Sequence, residues 1–114
     1  MNDKNKQIGK KIKIARILAE ITQEKFAEKI GVESVTVSRM ESGSRNTTAV
    51  EIEKISKALN RPLSYFYEEE KEEEITTLSI SSEAIMDLRD LDPEDKKFID
   101  ELIERFKKKK KGKK

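Results

Sequence analysis

Five side chains in the stretch "VESVTVSRMESG" are fit for recognition chemistry: Ser34, Val35, Thr36, Ser38 and Arg39. Hydroxyls of Ser and Thr donate and accept hydrogen bonds at short range. Val35 carries methyl groups suited to the methyl of a thymine. Arg39 carries a planar fork of donors that takes guanine through two parallel bonds. A solvated helix with no partner would more naturally carry Glu, Lys and Ala there, which are better helix formers. The set therefore reads as a helix face selected for base edges.

Chemistry of turnover has far less to work with. The chain of 114 residues contains no Cys and no His. The commonest metal ligands, the usual proton shuttle and the thiol nucleophile are thus missing. Pairs of Asp and Glu form no supporting constellation. The expectation is a non-enzyme with no metal and no cofactor.

Composition sets further bounds. Hydrophobic residues make up 34% of the chain and charged residues 42%, enough for one compact core but not two large ones. Net charge is +2, unevenly spread. Residues 1–66 carry 13 Lys/Arg against 8 Asp/Glu, whereas "YEEEKEEE" at 67–74 carries six Glu and one Lys. The sequence ends in "KKKKKGKK". A basic front and a basic end allow a polyanionic partner. No apolar run is long enough to span a bilayer, and no apolar secretory core follows "MNDKNKQIGKK". A cytoplasmic protein without membrane contact is the expectation.

Helices must position the reading face. Ile8, Ile12, Ala15 and Leu18 recur at helical spacing in residues 7–20, and Ile14, Ile17 and Ile21 add a second apolar stripe. Thr22 offers an N-cap to "QEKFAEKI", without the Glu or Gln of a capping box at Lys25. Phe26, Ala27 and Ile30 face inward, and Gly31 fits the left-handed residue that ends a helix. Glu33 or Ser34 begins the third helix, Val37 and Met40 face in, and Gly43 ends it. Thr47 or Thr48 caps a fourth helix with Val50, Ile52, Ile55 and Leu59 as its apolar set. In "RPLSYFY", Pro62 suits the first turn of a short fifth helix. Beyond it, "ITTLSIS" gives a weak extended signal, and "SSEAIMDLRDL" suits a short helix with Ile85, Leu88 and Leu91 on one side. In "DPEDKKFIDELIERFKKK", Asp92 caps and Pro93 opens a helix with the apolar stripe Phe98, Ile99, Leu102, Ile103 and Phe106.

The second helix, the turn at Gly31 and the third helix make a helix-turn-helix, in which the second of the pair enters the major groove. Two helices this short cannot bury themselves, so the others must supply the core. Residues 8–66 resemble the Cro/repressor-type helix-turn-helix family, also called the xenobiotic-response-element family. The resemblance rests on "TQEKFAEKIGV", "TVSRMESGSRN" and "ISKALNRPLSYF", in the family's order and spacing, over about half the chain.

It implies an all-α, five-helix repressor-like domain and a double-stranded DNA partner. Ser34, Val35 and Arg39 would face base edges, with Glu33, Thr36 and Ser38 nearby. Gln23 would bond a phosphate, aided by its helix N-terminus. Arg45 and Asn46 would touch the DNA backbone. Arg16 and Glu41 match a family pair that ties the first helix to the third and turns the Arg toward phosphate. The sequence departs from the family where Ile14, Ile17 and Leu18 replace charged residues and Ala15 replaces a larger aliphatic. This extra apolar face is expected to be covered, by the C-terminal helix or by a second subunit.

The implied organisation is a DNA-binding domain over 1–67, an acidic linker with a possible extended piece over 68–80, a helical oligomerisation segment over 81–107, and a disordered basic tail over 108–114. Ile85, Leu88, Phe98, Leu102 and Phe106 are the expected oligomerisation residues. The leading functional reading is a dimeric repressor on a two-fold operator. The alternative is an antitoxin or anti-regulator that holds a protein partner through its C-terminal helices and regulates itself through the helix-turn-helix.

Overall fold

A computed structural model describes residues 3–69, 74 and 93–112. The described elements are all helical: α1 (Asp3–Leu18), α2 (Gln23–Ile30), α3 (Ser34–Ser42), α4 (Ala49–Leu59), a 3-10 helix (Leu63–Tyr67) and α5 (Pro93–Gly112). The chain divides into two compact units, Met1–Glu69 and Glu70–Lys114. The expected extended piece at 75–80, the short helix carrying Ile85 and Leu88, and the Asp92 cap lie outside the described residues.

α1 begins four residues before the expected start and ends two before the expected end. Its first turn, "DKNK", is polar, so apolar periodicity cannot mark it. Its end lacks a glycine. Glu20 takes the left-handed conformation instead, at φ 60°, and the Ile21 N–H donates to the Arg16 carbonyl at 3.4 Å. This closure resembles the two-bond cap that usually recruits glycine.

The caps of α2 and α4 follow the sequence closely. Thr22 Oγ1 accepts from the Lys25 N–H at 3.1 Å, and Gly31 is left-handed at φ 73°. Thr48, not Thr47, caps α4, and Glu51 completes a capping box. α3 starts at Ser34 with Glu33 as a cap that makes no side-chain bond. Its stability must come from packing. Val50 departs from the expected apolar set: it is 65% exposed. It sits two residues before Ile52, on the far side of the stripe Ile52, Ile55 and Leu59. The fifth helical piece is a 3-10 helix, and Pro62 precedes it as an extended residue.

One core joins the first unit. Ile8, Ile12 and Ala15 of α1 meet Phe26, Ala27 and Ile30 of α2, Val37 and Met40 of α3, Ile52, Ile55 and Leu59 of α4, and Tyr65 and Phe66. Burying Phe26 and Phe66, both at 0% exposure, contributes roughly 1.5–3 kcal/mol each. Ile14 and Ile17 of the extra apolar face are buried too, while Leu18 is half-buried. Lys11, a residue the sequence would leave in water, is buried. Its Nζ stands 3.9 Å from the centre of the Tyr65 ring and donates to the Glu69 carbonyl at 3.5 Å. Arg61 covers the same ring at 4.9 Å, so cation–π attraction joins α1 to the 3-10 helix.

In the second unit, α5 buries Ile99 and Leu102 and carries Glu94 and Asp95 in its first turn. An exposed i,i+4 pair, Lys96–Asp100, stands at 3.3 Å. Residues 108–112, expected to be disordered, continue the helix. Lysines propagate a helix well and suit its negative C-terminal end.

Gly9 fixes how closely α1 approaches α3. A Cβ there would strike the Met40 carbonyl oxygen and lie 2.7 Å from that of Glu41. Helix propensity alone makes Gly9→Ala stabilising by about 1 kcal/mol. The backbone contact reverses that sign, and chemical denaturation should show a net loss of roughly 1–3 kcal/mol. A variant as stable as the parent would disprove this packing.

Candidate nucleic-acid interface

α3 has two chemically distinct faces. Val37 and Met40 are fully buried, whereas Glu33, Ser34, Val35, Ser38 and Arg39 are exposed and Thr36 is half-buried. Val35 is 47% exposed. Ser34, Val35, Ser38 and Arg39 thus share the outward side of the helix, while half-buried Thr36 lies at its margin and Glu33 at its start. Downstream, Ser42 Oγ donates to the Arg39 carbonyl at 3.1 Å and accepts from the Ser44 N–H at 3.3 Å. These bonds fold the chain back at the left-handed Gly43 (φ 80°), against which Lys6 of α1 packs.

What holds this helix in place is a buried ion pair. Arg16 Nε donates to Glu41 Oε2 at 2.6 Å, and Nη2 to Oε1 at 3.2 Å; the two side chains are 0% and 2% exposed. The Arg16 Nη1 donates to the Ile21 carbonyl at 2.9 Å, and Gln23 Nε2 donates to Glu41 Oε1 at 2.9 Å. One carboxylate therefore gathers the end of α1, the start of α2 and the end of α3.

Arg16, expected to turn toward phosphate, is turned inward in this structure. Its guanidinium has no solvent-facing surface, and Glu41 and Ile21 take three of its donors. Gln23 is half-buried; an amide has two N–H donors, of which one is given to Glu41.

The loop between α3 and α4 carries the other expected backbone contacts. Asn46 is exposed and Arg45 is half-buried. Arg45 Nη2 donates to Glu51 Oε2 at 2.7 Å, and Nη1 donates to Glu51 Oε1 at 3.0 Å and to the Asn46 carbonyl at 2.9 Å. Glu51 Oε1 also accepts from the Thr48 N–H at 2.9 Å. The Arg45 bonds lead in holding the Glu51 carboxyl down, near pKa 2, against the opposing effect of burial; the Thr48 bonds help. Sequence reading missed this role of Glu51. Its one signal was a Glu at the third position after a Thr cap.

Among the expected oligomerisation residues, Leu102 is already buried within the single chain and Phe98 is half-buried. The Phe106 side chain, Ile85 and Leu88 lie outside the described set. Among the described residues, no helix is long and apolar enough to cross a membrane.

Comparison with known proteins agrees with this arrangement. Residues 12–66 match the helix-turn-helix family of Cro/C1 type. An uncharacterized HTH-type transcriptional regulator of Sinorhizobium medicae is 31% identical over 62 residues, 54% of this chain and 45% of that protein. A Rhizobium meliloti regulator of the same description matches equally. The chain thus spans about half the length of these two relatives. Control protein C.MunI of a Mycoplasma species is 34% identical over 74 residues, 64% of this chain and 100% of that protein.

Two stability measurements test the site's framework. Glu41→Ala strands a buried guanidinium and should cost about 3–5 kcal/mol in denaturant melts; a loss under 1 kcal/mol would sink the central role of the pair. Glu51, with its pKa depressed from 4.5 to about 2, contributes stability fully present above about pH 4.5. That contribution is lost as pH falls toward 2. The Tm gap between the parent and Glu51→Gln should therefore be constant above that range and shrink below it. A gap independent of pH would contradict the pairing.

Proposed function

We propose, starting from the fact that this chain belongs to the Cro/C1-type helix-turn-helix family, that it is a dimeric repressor reading a two-fold DNA operator with α3. Membership gives the coarse function, DNA-binding regulation of transcription. The observation that carries the finer reading is the outward set on α3. Ser34, Val35, Ser38 and Arg39 are exposed on the outward side with Thr36 at its margin, while Val37 and Met40 anchor the same helix in the core.

In this reading Arg39 takes a guanine through its planar fork, Val35 meets a thymine methyl, and the hydroxyls bond base edges or phosphate. Glu33 stands at the entry to the groove. Gln23, Arg45 and Asn46 contact the DNA backbone and set the register of α3. Arg16 and Glu41 act from inside, as the tie that fixes the helix. Two copies place two α3 helices in successive major grooves, with Phe98 and the rest of the C-terminal segment as the pairing surface. Occupying a promoter is sufficient for repression. Such a protein works in the cytoplasm, on the chromosome or a phage genome.

Selecting bound duplexes from a random pool at near-physiological salt tests this directly. The expected product is an inverted repeat with half-sites about one helical turn apart. On that operator, Arg39→Ala should cost roughly 1–3 kcal/mol and relax preference at one base position per half-site. Binding that enriches no motif and simply fades with salt would refute sequence-specific reading.

A further inference from the structure

We propose that Glu51 is a positioning residue for DNA binding: it fixes the Arg45 guanidinium so that one edge of it receives a backbone phosphate. The inference rests on the DNA-reading function proposed above and names a residue outside the helix-turn-helix itself.

The argument begins with donor accounting on Arg45. A guanidinium has five N–H donors, arranged as an end-on fork (Nη1 and Nη2) and a side-on fork (Nε and Nη2). Glu51 closes the end-on fork with bonds of 3.0 and 2.7 Å. The second Nη1 hydrogen goes to the Asn46 carbonyl at 2.9 Å. Among the described residues, no acceptor takes Nε or the second Nη2 hydrogen. The side-on fork is thus the edge left for a ligand, and the Arg45 side chain is 35% exposed. Two phosphate oxygens match such a fork as well as a carboxylate does.

Glu51 is itself immobilised. Its carboxylate accepts from the Thr48 N–H at 2.9 Å, and its own N–H donates to Thr48 Oγ1 at 3.2 Å. The capping box therefore does two jobs. It starts α4, and it aims a loop arginine just beyond the end of α3. A free arginine loses side-chain freedom on gripping phosphate; one already clamped loses little. The opposing effect is repulsion between Glu51 and the phosphate. The two anions would sit on adjacent edges of one guanidinium, closer than a Debye length, so salt screens them little; the positive charge between them is what offsets their repulsion.

The test is a double-mutant cycle read by anisotropy titration on the selected operator, at two salt concentrations, with circular dichroism at the assay temperature to establish that each variant is folded. Arg45→Ala should weaken binding and reduce the salt slope by about one ion per protomer. Glu51→Gln, which retains an acceptor for the cap, should weaken binding roughly two- to tenfold. In the Arg45→Ala background the same change should weaken nothing. Tighter binding by Glu51→Gln would make the carboxylate a shield and overturn the proposal. Equal weakening in both backgrounds would also overturn it, leaving Glu51 as a helix cap only. If Arg45→Ala is silent while Arg39→Ala still relaxes specificity, this inference falls and the DNA reading stands. If the parent protein selects no duplex, both fall.

Discussion

A guanidinium taken wholly out of water, as that of Arg16 is, costs several kcal/mol in lost hydration. The structure offsets that cost by meeting it on two sides, with the Glu41 carboxylate and the Ile21 carbonyl. The compensation is available in only one arrangement. Move α3 by an ångström and Glu41 leaves its partner, while the Met40 and Glu41 carbonyls collide with α1 or part from Gly9. Apolar contacts alone tolerate some sliding; a buried bidentate pair does not. The position of the outward face of α3 thus depends on a charge pair that never meets solvent.

That dependence explains how α3 exists at all. It has nine residues, no side-chain N-cap, and hydroxyl-bearing or β-branched residues at all of its first five positions. Isolated, such a segment does not hold a helix. Val37 and Met40 in the core, Glu41 on Arg16 and the left-handed Gly43 supply what its sequence lacks. Local preference is given up along the outward face and recovered through tertiary contacts on the other.

The same trade decides what was legible in the sequence. Caps and glycines were readable because each acts within a few residues: Thr22, Gly31 and Gly43 stand where local chemistry puts them. So was the split of α3 into inner and outer faces, which follows from helical period alone. What escaped depends on distant partners. Lys11 looks like a surface lysine until Tyr65 arrives from far along the chain. Gly9 looks like a weak point in α1 until the carbonyls of α3 are seen against it. The end of α1 was misplaced because Glu20 takes a conformation that usually advertises itself as glycine. Val50 was assigned inward by its type, where the phase of Ile52, Ile55 and Leu59 should have placed it outside.

The separation of duties within α3 has a consequence for specificity. Residues that hold the helix (Val37, Met40 and Glu41) and residues that face outward (Ser34, Val35, Ser38 and Arg39, with Thr36 at the margin) do not overlap. Substitution of an exposed side chain away from caps and buried networks usually changes stability by no more than about 0.5 kcal/mol. The outward set can then change without loss of the fold, provided helix propensity is not lowered much further. A reader built this way alters what it recognises by exchanging side chains on a fixed rail, and the rail is the part the interior pays to keep rigid. In the proposed DNA-bound reading, loop contacts to the backbone would belong with the rail, because such contacts set register and carry no sequence information. The clamped Arg45 is consistent with that division: its bonds to Glu51 and Asn46 tie it to the frame of α4, not to the variable face of α3.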